Sequence, residues 1–157
     1  ILNQNLEKYD FYKKYLTYSR DYDEQKNLHS DSVFPRFKIW FYINDINEEN
    51  GAFQYVKGSN NINDKKLDFF YNIINLENKD PMLNKHCEKG EKGKKGAFRV
   101  CINNENTEND IMKEMGFEKP ISMNFKKNTL IISNTHGFHK RGSCQKGKER
   151  IMLQYCF

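Results

Sequence analysis

Nowhere in the 157 residues does an apolar run reach about 18 positions, so no stretch is long enough to cross a bilayer as a helix. The opening "ILNQNLEKYD" lacks the basic-then-apolar pattern of a signal peptide, and the resulting expectation is a soluble, cytoplasmic protein. The chain begins at Ile1 rather than at methionine. An upstream segment, with any targeting information it carried, is therefore expected to be missing, so that the domain is truncated at its N-terminus. Cysteine is sparse. Cys87, Cys101, Cys144 and Cys156 show no C-x-x-C spacing and are too few to staple a chain of this size, which excludes a disulfide framework and points to reduced thiols.

A sustained basic face is also lacking, although the formal net charge is +5. The densest basic stretch, "KHCEKGEKGKKG" at residues 85–96, is broken by Glu88 and Glu91 and holds three glycines. It reads as a solvated, mobile loop, and no nucleic-acid partner is expected.

What the chain does contain is apolar and aromatic material, 37% and 14% of residues, enough to exclude disorder of the whole and to build one domain over residues 1–157. Leu6, Tyr9, Tyr12 and Leu16 fall at roughly helical spacing, which predicts a short helix or two within residues 1–27. From Phe37 the period changes to two. Phe37, Ile39, Phe41 and Ile43 share one face and Lys38, Trp40 and Tyr42 the other, and since both faces are largely apolar a central strand is predicted. "NDINEENGAFQYV" reads as a hairpin turning at Asn50-Gly51.

Leu67, Phe70, Tyr71 and Ile74 then mark the apolar stripe of a helix capped by Asn63 or Asp64, and "ENDIMKEM" a second helix ended by Gly116. "AFRVCI", "ISMNF", "TLIIS" and "RIMLQYCF" read as strands. Strands dominate and look antiparallel, so the pattern predicts a mainly β barrel or sandwich with flanking helices.

The chemistry is carried by "LHSDS". Residues two apart on an extended segment project to the same side, so His29 and Asp31 can aim an imidazole nitrogen and a carboxylate oxygen at one point. A distant histidine would complete the two-His, one-carboxylate facial set of non-haem Fe(II) oxygenases, which leaves positions open for co-substrate and O₂. His136 and His139, in the loop after "TLIIS", are the candidates. His139 is favoured because Arg150 follows it by 150 − 139 = 11 positions, at the start of the next strand, where its guanidinium can grip a carboxylate in a two-pronged pair.

The segments "LHSDSVFPRFKIWFYINDINEENGAFQYVKGSN" and "KKNTLIISNTHGFHKRGSCQKGKERIMLQYCF" resemble the phytanoyl-CoA dioxygenase family of Fe(II)- and 2-oxoglutarate-dependent oxygenases. The resemblance implies a double-stranded β-helix, a jelly-roll or cupin-like barrel. It implies that His29, Asp31 and His139 hold Fe(II), that Arg150 holds the far carboxylate of 2-oxoglutarate, and that Trp40 packs beside that co-substrate. Lys38 and Gln154 are candidates to face the same cavity. The implied reaction consumes O₂ and 2-oxoglutarate, releases succinate and CO₂ and hydroxylates a small organic substrate. Asp31 argues against a halogenase, in which a small residue replaces the carboxylate.

The chain departs from the family pattern at "KGSN", where Lys57 and Asn60 stand in a turn usually written P-G-S-H, in the extra His136, and in its shorter front. The alternatives are a catalytically silent barrel that binds a ligand, and a nucleic-acid binder working through the basic loop.

Overall fold

Nine strands and two α-helices, with a short 3-10 turn (Glu24–Lys26), were located in a computed structural model that describes residues 12–16, 24–76, 99–102 and 105–156. In chain order they are β1 (Tyr12–Leu16), β2 (Leu28–Ser30), β3 (Phe37–Tyr42), β4 (Phe53–Tyr55), α1 (Asp64–Leu76), β5 (Val100–Ile102), α2 (Glu108–Glu114), β6 (Ile121–Met123), β7 (Thr129–Asn134), β8 (His139–Arg141) and β9 (Arg150–Cys156). They form two antiparallel sheets, a four-stranded one ordered β1-β9-β3-β7 and a five-stranded one ordered β5-β2-β8-β4-β6. Both sheets are open among the described residues, and neither closes into a barrel.

The predicted alternation of β3 holds. Trp40 and Tyr42 are buried, whereas Phe37 and Ile43 at the ends of the opposite face are exposed. The strand is central, flanked by β9 and β7. That flanking overturns the predicted hairpin. With both edges of β3 taken, no backbone donors or acceptors remain for β4, which crosses to the other sheet and pairs with β8 and β6. The turn itself is present, with Gly51 at φ 76°.

The predicted helical stripe near the front is overturned at Tyr12–Leu16, which is a strand registered from Tyr12↔Gln154 to Leu16↔Arg150. The free edge of β9 offers a row of unpaired peptide groups, and pairing with it outweighs a weak local periodicity. The other residues of that stripe lie outside the described ones, as does the basic stretch 85–96.

Helix α1 starts where predicted, Asn63 Oδ1 accepting the Lys66 amide at 2.8 Å. Its buried face is set one residue earlier than the apolar pattern suggests. Lys66, Phe70 and Ile73 are buried, while Leu67 and Tyr71 are exposed. Gly116, at φ 83°, ends α2, and Phe117 N–H reaches the Met112 carbonyl at 2.8 Å.

Two cores result. Leu28, Val100 and Ile102 on one face of the five-stranded sheet pack with Phe70, Ile73 and Met112 of the helices. Trp40, Tyr42 and Met152 of the four-stranded sheet pack with Phe53 of the other, the Trp40 and Phe53 ring centroids lying 5.0 Å apart. The sheets thus face one another across the second core. Cys101 and Cys144 are buried, and Cys144 is a free thiol. Among the described residues no helix is long and apolar enough to cross a membrane.

Candidate metal centre

On β2, Leu28 and Ser30 face the helices, so His29 between them faces the opposite sheet. It is registered directly against His139, the first residue of β8, and the two imidazole centroids lie 4.3 Å apart. Asp31 follows β2 at once, its amide anchored to the Thr135 carbonyl at 2.9 Å. Its carboxylate lies between the rings, Oδ1 at 3.8 Å from His29 Nε2 and Oδ2 at 3.5 Å from His139 Nε2. One donor atom from each residue falls within 4.8 Å of the others, and all three residues are buried.

The outer nitrogens settle the tautomers. His29 Nδ1 lies 2.6 Å from the Asn27 carbonyl and His139 Nδ1 lies 2.8 Å from the Gly137 carbonyl. Only an N–H satisfies a carbonyl, so in the neutral rings each Nε2 keeps a lone pair aimed at the cluster. Burial, reinforced by the charges of His139 and Arg99, holds the His29 imidazolium well below its ordinary range despite Asp31. Burial alone would raise the Asp31 carboxyl. The proximity of the His139 imidazole and the charge of the Lys38 ammonium outweigh it and keep the group ionised far below the usual carboxylate range. His29 Nε2 is buried without a hydrogen-bond partner, whereas Asp31 Oδ2 is held by the Lys38 ammonium. Two imidazole Nε2 atoms, one of them an orphaned buried acceptor, and one carboxylate fit a divalent cation.

A hollow of about 90 Å³ adjoins the cluster between the sheets. Lys38, Trp40 and Arg150 enter it from the four-stranded sheet, His29, His139 and Arg141 from the other. Trp40 Nε1 donates to Gln154 Oε1 at 3.1 Å, so both residues line the hollow as a joined pair. Lys38 Nζ stands 2.5 Å from Asp31 Oδ2. Arg150 is 3% exposed and donates to the Gly51 carbonyl, and burial lowers its pKa. Beside it, burial pushes the Tyr42 phenol up to about 12, against the opposing charge of Arg150.

His136, the other candidate third ligand, is outside the cluster. Its Nδ1 meets the Ser32 carbonyl at 2.8 Å and its Nε2 meets Lys66 Nζ at 3.1 Å. Lys66 also donates to the carbonyls of Ser59 and His136, and so ties α1 to the loops that follow β4 and β7. Two residues in this region escaped the sequence reading. Arg141 carried a usable signal, its position two after His139. Lys66 carried none, since a charged residue in an amphipathic helix reads as solvent-facing.

No protein-family model matches the chain, and no curated protein matches it. Among solved structures, apo HygX from Streptomyces hygroscopicus superposes with a TM-score of 0.48 at 14% sequence identity, over 93% of this chain and 55% of that one. The chain thus spans about half the length of HygX. What fold and site define is a mainly β protein of two facing antiparallel sheets, with a buried His–Asp–His cluster able to hold a metal ion.

Proposed function

We propose that this chain is an Fe(II)- and 2-oxoglutarate-dependent oxygenase of the phytanoyl-CoA dioxygenase kind, hydroxylating a small organic substrate. The observation that carries this reading is the convergence of His29, Asp31 and His139 at one end of a hollow that Arg150 enters from the facing sheet. A double-stranded β-helix is part of the proposal. The way successive strands change sheet, β2 to β3 to β4 and β6 to β7 to β8 to β9, supports it.

In this reading His29 and His139 offer Nε2 lone pairs, and their Nδ1 bonds to backbone carbonyls stop the rings from turning. Asp31 supplies the negative charge. Fe(II), when bound, supplies the activation of O₂ coupled to conversion of 2-oxoglutarate into succinate and CO₂. Arg150 holds the far carboxylate of that acid, and its burial strengthens the pair by excluding water. Trp40 and Phe53, ring against ring, wall the hollow on its apolar side.

The test is anaerobic titration with Fe(II) and 2-oxoglutarate, followed by visible absorption. A weak charge-transfer band that vanishes in Asp31→Ala is expected; no metal-dependent binding of 2-oxoglutarate would sink the reading.

One observation favours a second reading, a silent binding protein of the same fold. Lys38 already places an ammonium on Asp31. A chain of that kind binds 2-oxoglutarate without metal and yields no succinate, which calorimetry beside a succinate assay distinguishes.

A further inference from the structure

Strand β8 carries more than a metal ligand. Its residues His139 and Arg141 are two apart, so their side chains share the face that lines the hollow. At ~3.3 Å per residue Arg141 stands about 6–7 Å along the strand from His139. Its neighbour across β4 is Phe53, on the same wall. Arg150 comes to the hollow from β9, on the facing sheet. The hollow therefore has a metal-ligand end and a guanidinium end.

The guanidinium end gathers two cations. Arg141 and Arg150 line one hollow of about 90 Å³ from facing sheets. Two like charges lining one small hollow repel, and an anion between them relieves that repulsion. Arg150 adds a directed signal. One of its terminal nitrogens is used on the Gly51 carbonyl, but its buried Nε has no hydrogen-bond partner. A buried N–H left over in this way marks a place for an acceptor.

We propose that Arg141 and Arg150 jointly grip one oxyanion group. That group is the far carboxylate of the acid whose other end meets His29, Asp31 and His139, so Arg141 selects diacids over monoacids. The identity of the acid rests on the function proposed above; the two-arginine grip does not. A carboxylate offers about four lone-pair directions, enough for two guanidiniums at once. Lysine, a point donor without the fork, reproduces only part of this.

Calorimetry on the Mn²⁺-loaded chain tests it with two probes, 2-oxoglutarate and 2-oxobutyrate, which share the keto-acid head and differ in the far carboxylate. Arg141→Met is expected to weaken 2-oxoglutarate by about 10- to 100-fold, the loss of a charge-assisted pair, and to leave 2-oxobutyrate and Mn²⁺ binding unchanged. Arg141→Lys recovers part of the loss, and carries the test if Arg141→Met does not fold. Equal effects on both keto acids, or none on either, overturn the proposal.

If the wild-type chain binds neither keto acid, the oxygenase reading fails, and glutarate and inorganic phosphate are titrated onto the metal-free chain. Binding of either that is lost in Arg141→Met keeps the grip and tells carboxylate from phosphate. No Arg141-dependent binding overturns it.

Discussion

Lys38 Nζ lies 2.5 Å from Asp31 Oδ2, the same oxygen that faces His139 Nε2 at 3.5 Å. The inner face of one sheet thus delivers a cation to the carboxylate that the other sheet holds between two imidazoles. A divalent ion bound by Asp31 must share this oxygen with the ammonium or displace it, so Lys38 acts against metal binding. Lys38→Met is expected to tighten Mn²⁺ or Co²⁺ binding by about tenfold, or ~1.4 kcal/mol, measured by calorimetry. Weaker binding in the variant would mean that the lysine supports the site.

Asp31 is the one carboxylate of the cluster. Asp31→Asn keeps the shape and removes the charge, and is expected to lower divalent-metal affinity by at least ~100-fold. It also strips Lys38 of its counter-charge, with an expected cost of about 1–3 kcal/mol in urea unfolding. Retention of wild-type metal affinity would remove Asp31 from the ligand set.

Gly51 joins backbone geometry to the far end of the hollow. It sits at φ 76°, an added Cβ would lie 2.5 Å from the Gly142 carbonyl oxygen, and its own carbonyl accepts from Arg150. Gly51→Ala combines left-handed strain with a backbone clash and is expected to cost about 2–4 kcal/mol, read from denaturant midpoints. The same shift disturbs Arg150, so binding of 2-oxoglutarate should weaken in whatever fraction remains folded.

Lys66 gives stability a pH dependence. Burial lowers its pKa from 10.5 to about 8, and the nearby His136 is likewise held low, by burial first. Between those two lysine values the unfolded chain keeps a proton that the folded chain has released. The penalty is therefore full below about 8, and the Lys66 contribution to stability rises with pH from there towards 10.5. Lys66→Met is expected to flatten that rise, seen as the difference between the two proteins' urea midpoints followed through the window. Identical slopes would show that the folded lysine titrates as it does in the unfolded chain.

Much of the local structure was legible because it depends on neighbours in sequence. The alternation along β3, the Asn63 cap and the Gly116 stop follow from backbone sterics and unpaired helix-end amides. His29 and Asp31 were legible as a pair for the same reason. The apolar pattern of α1 named the right helix and misplaced its face, because Lys66 finds carbonyl acceptors and two aromatic rings inside, at 5.0 and 5.4 Å. The Asn50-Gly51 turn was legible, but not the sheet its second strand would join. That depends on which strand edges remain open after β7 and β9 have paired with β3.

By itself the amino-acid order determined strands β3 to β7 and β9, the helix ends, the donor types and the spacing from His139 to Arg150. Only the tertiary structure decided that His29 stands opposite His139, that His136 is spent on Ser32 and Lys66, and that Lys38 and Arg141 enter one hollow from facing sheets. The physical reason is one of range. Side-chain direction and capping are settled within a few residues, whereas the meeting of groups from opposite ends of the chain depends on long-range strand register, in which a slip of one residue sends every side chain to the other face.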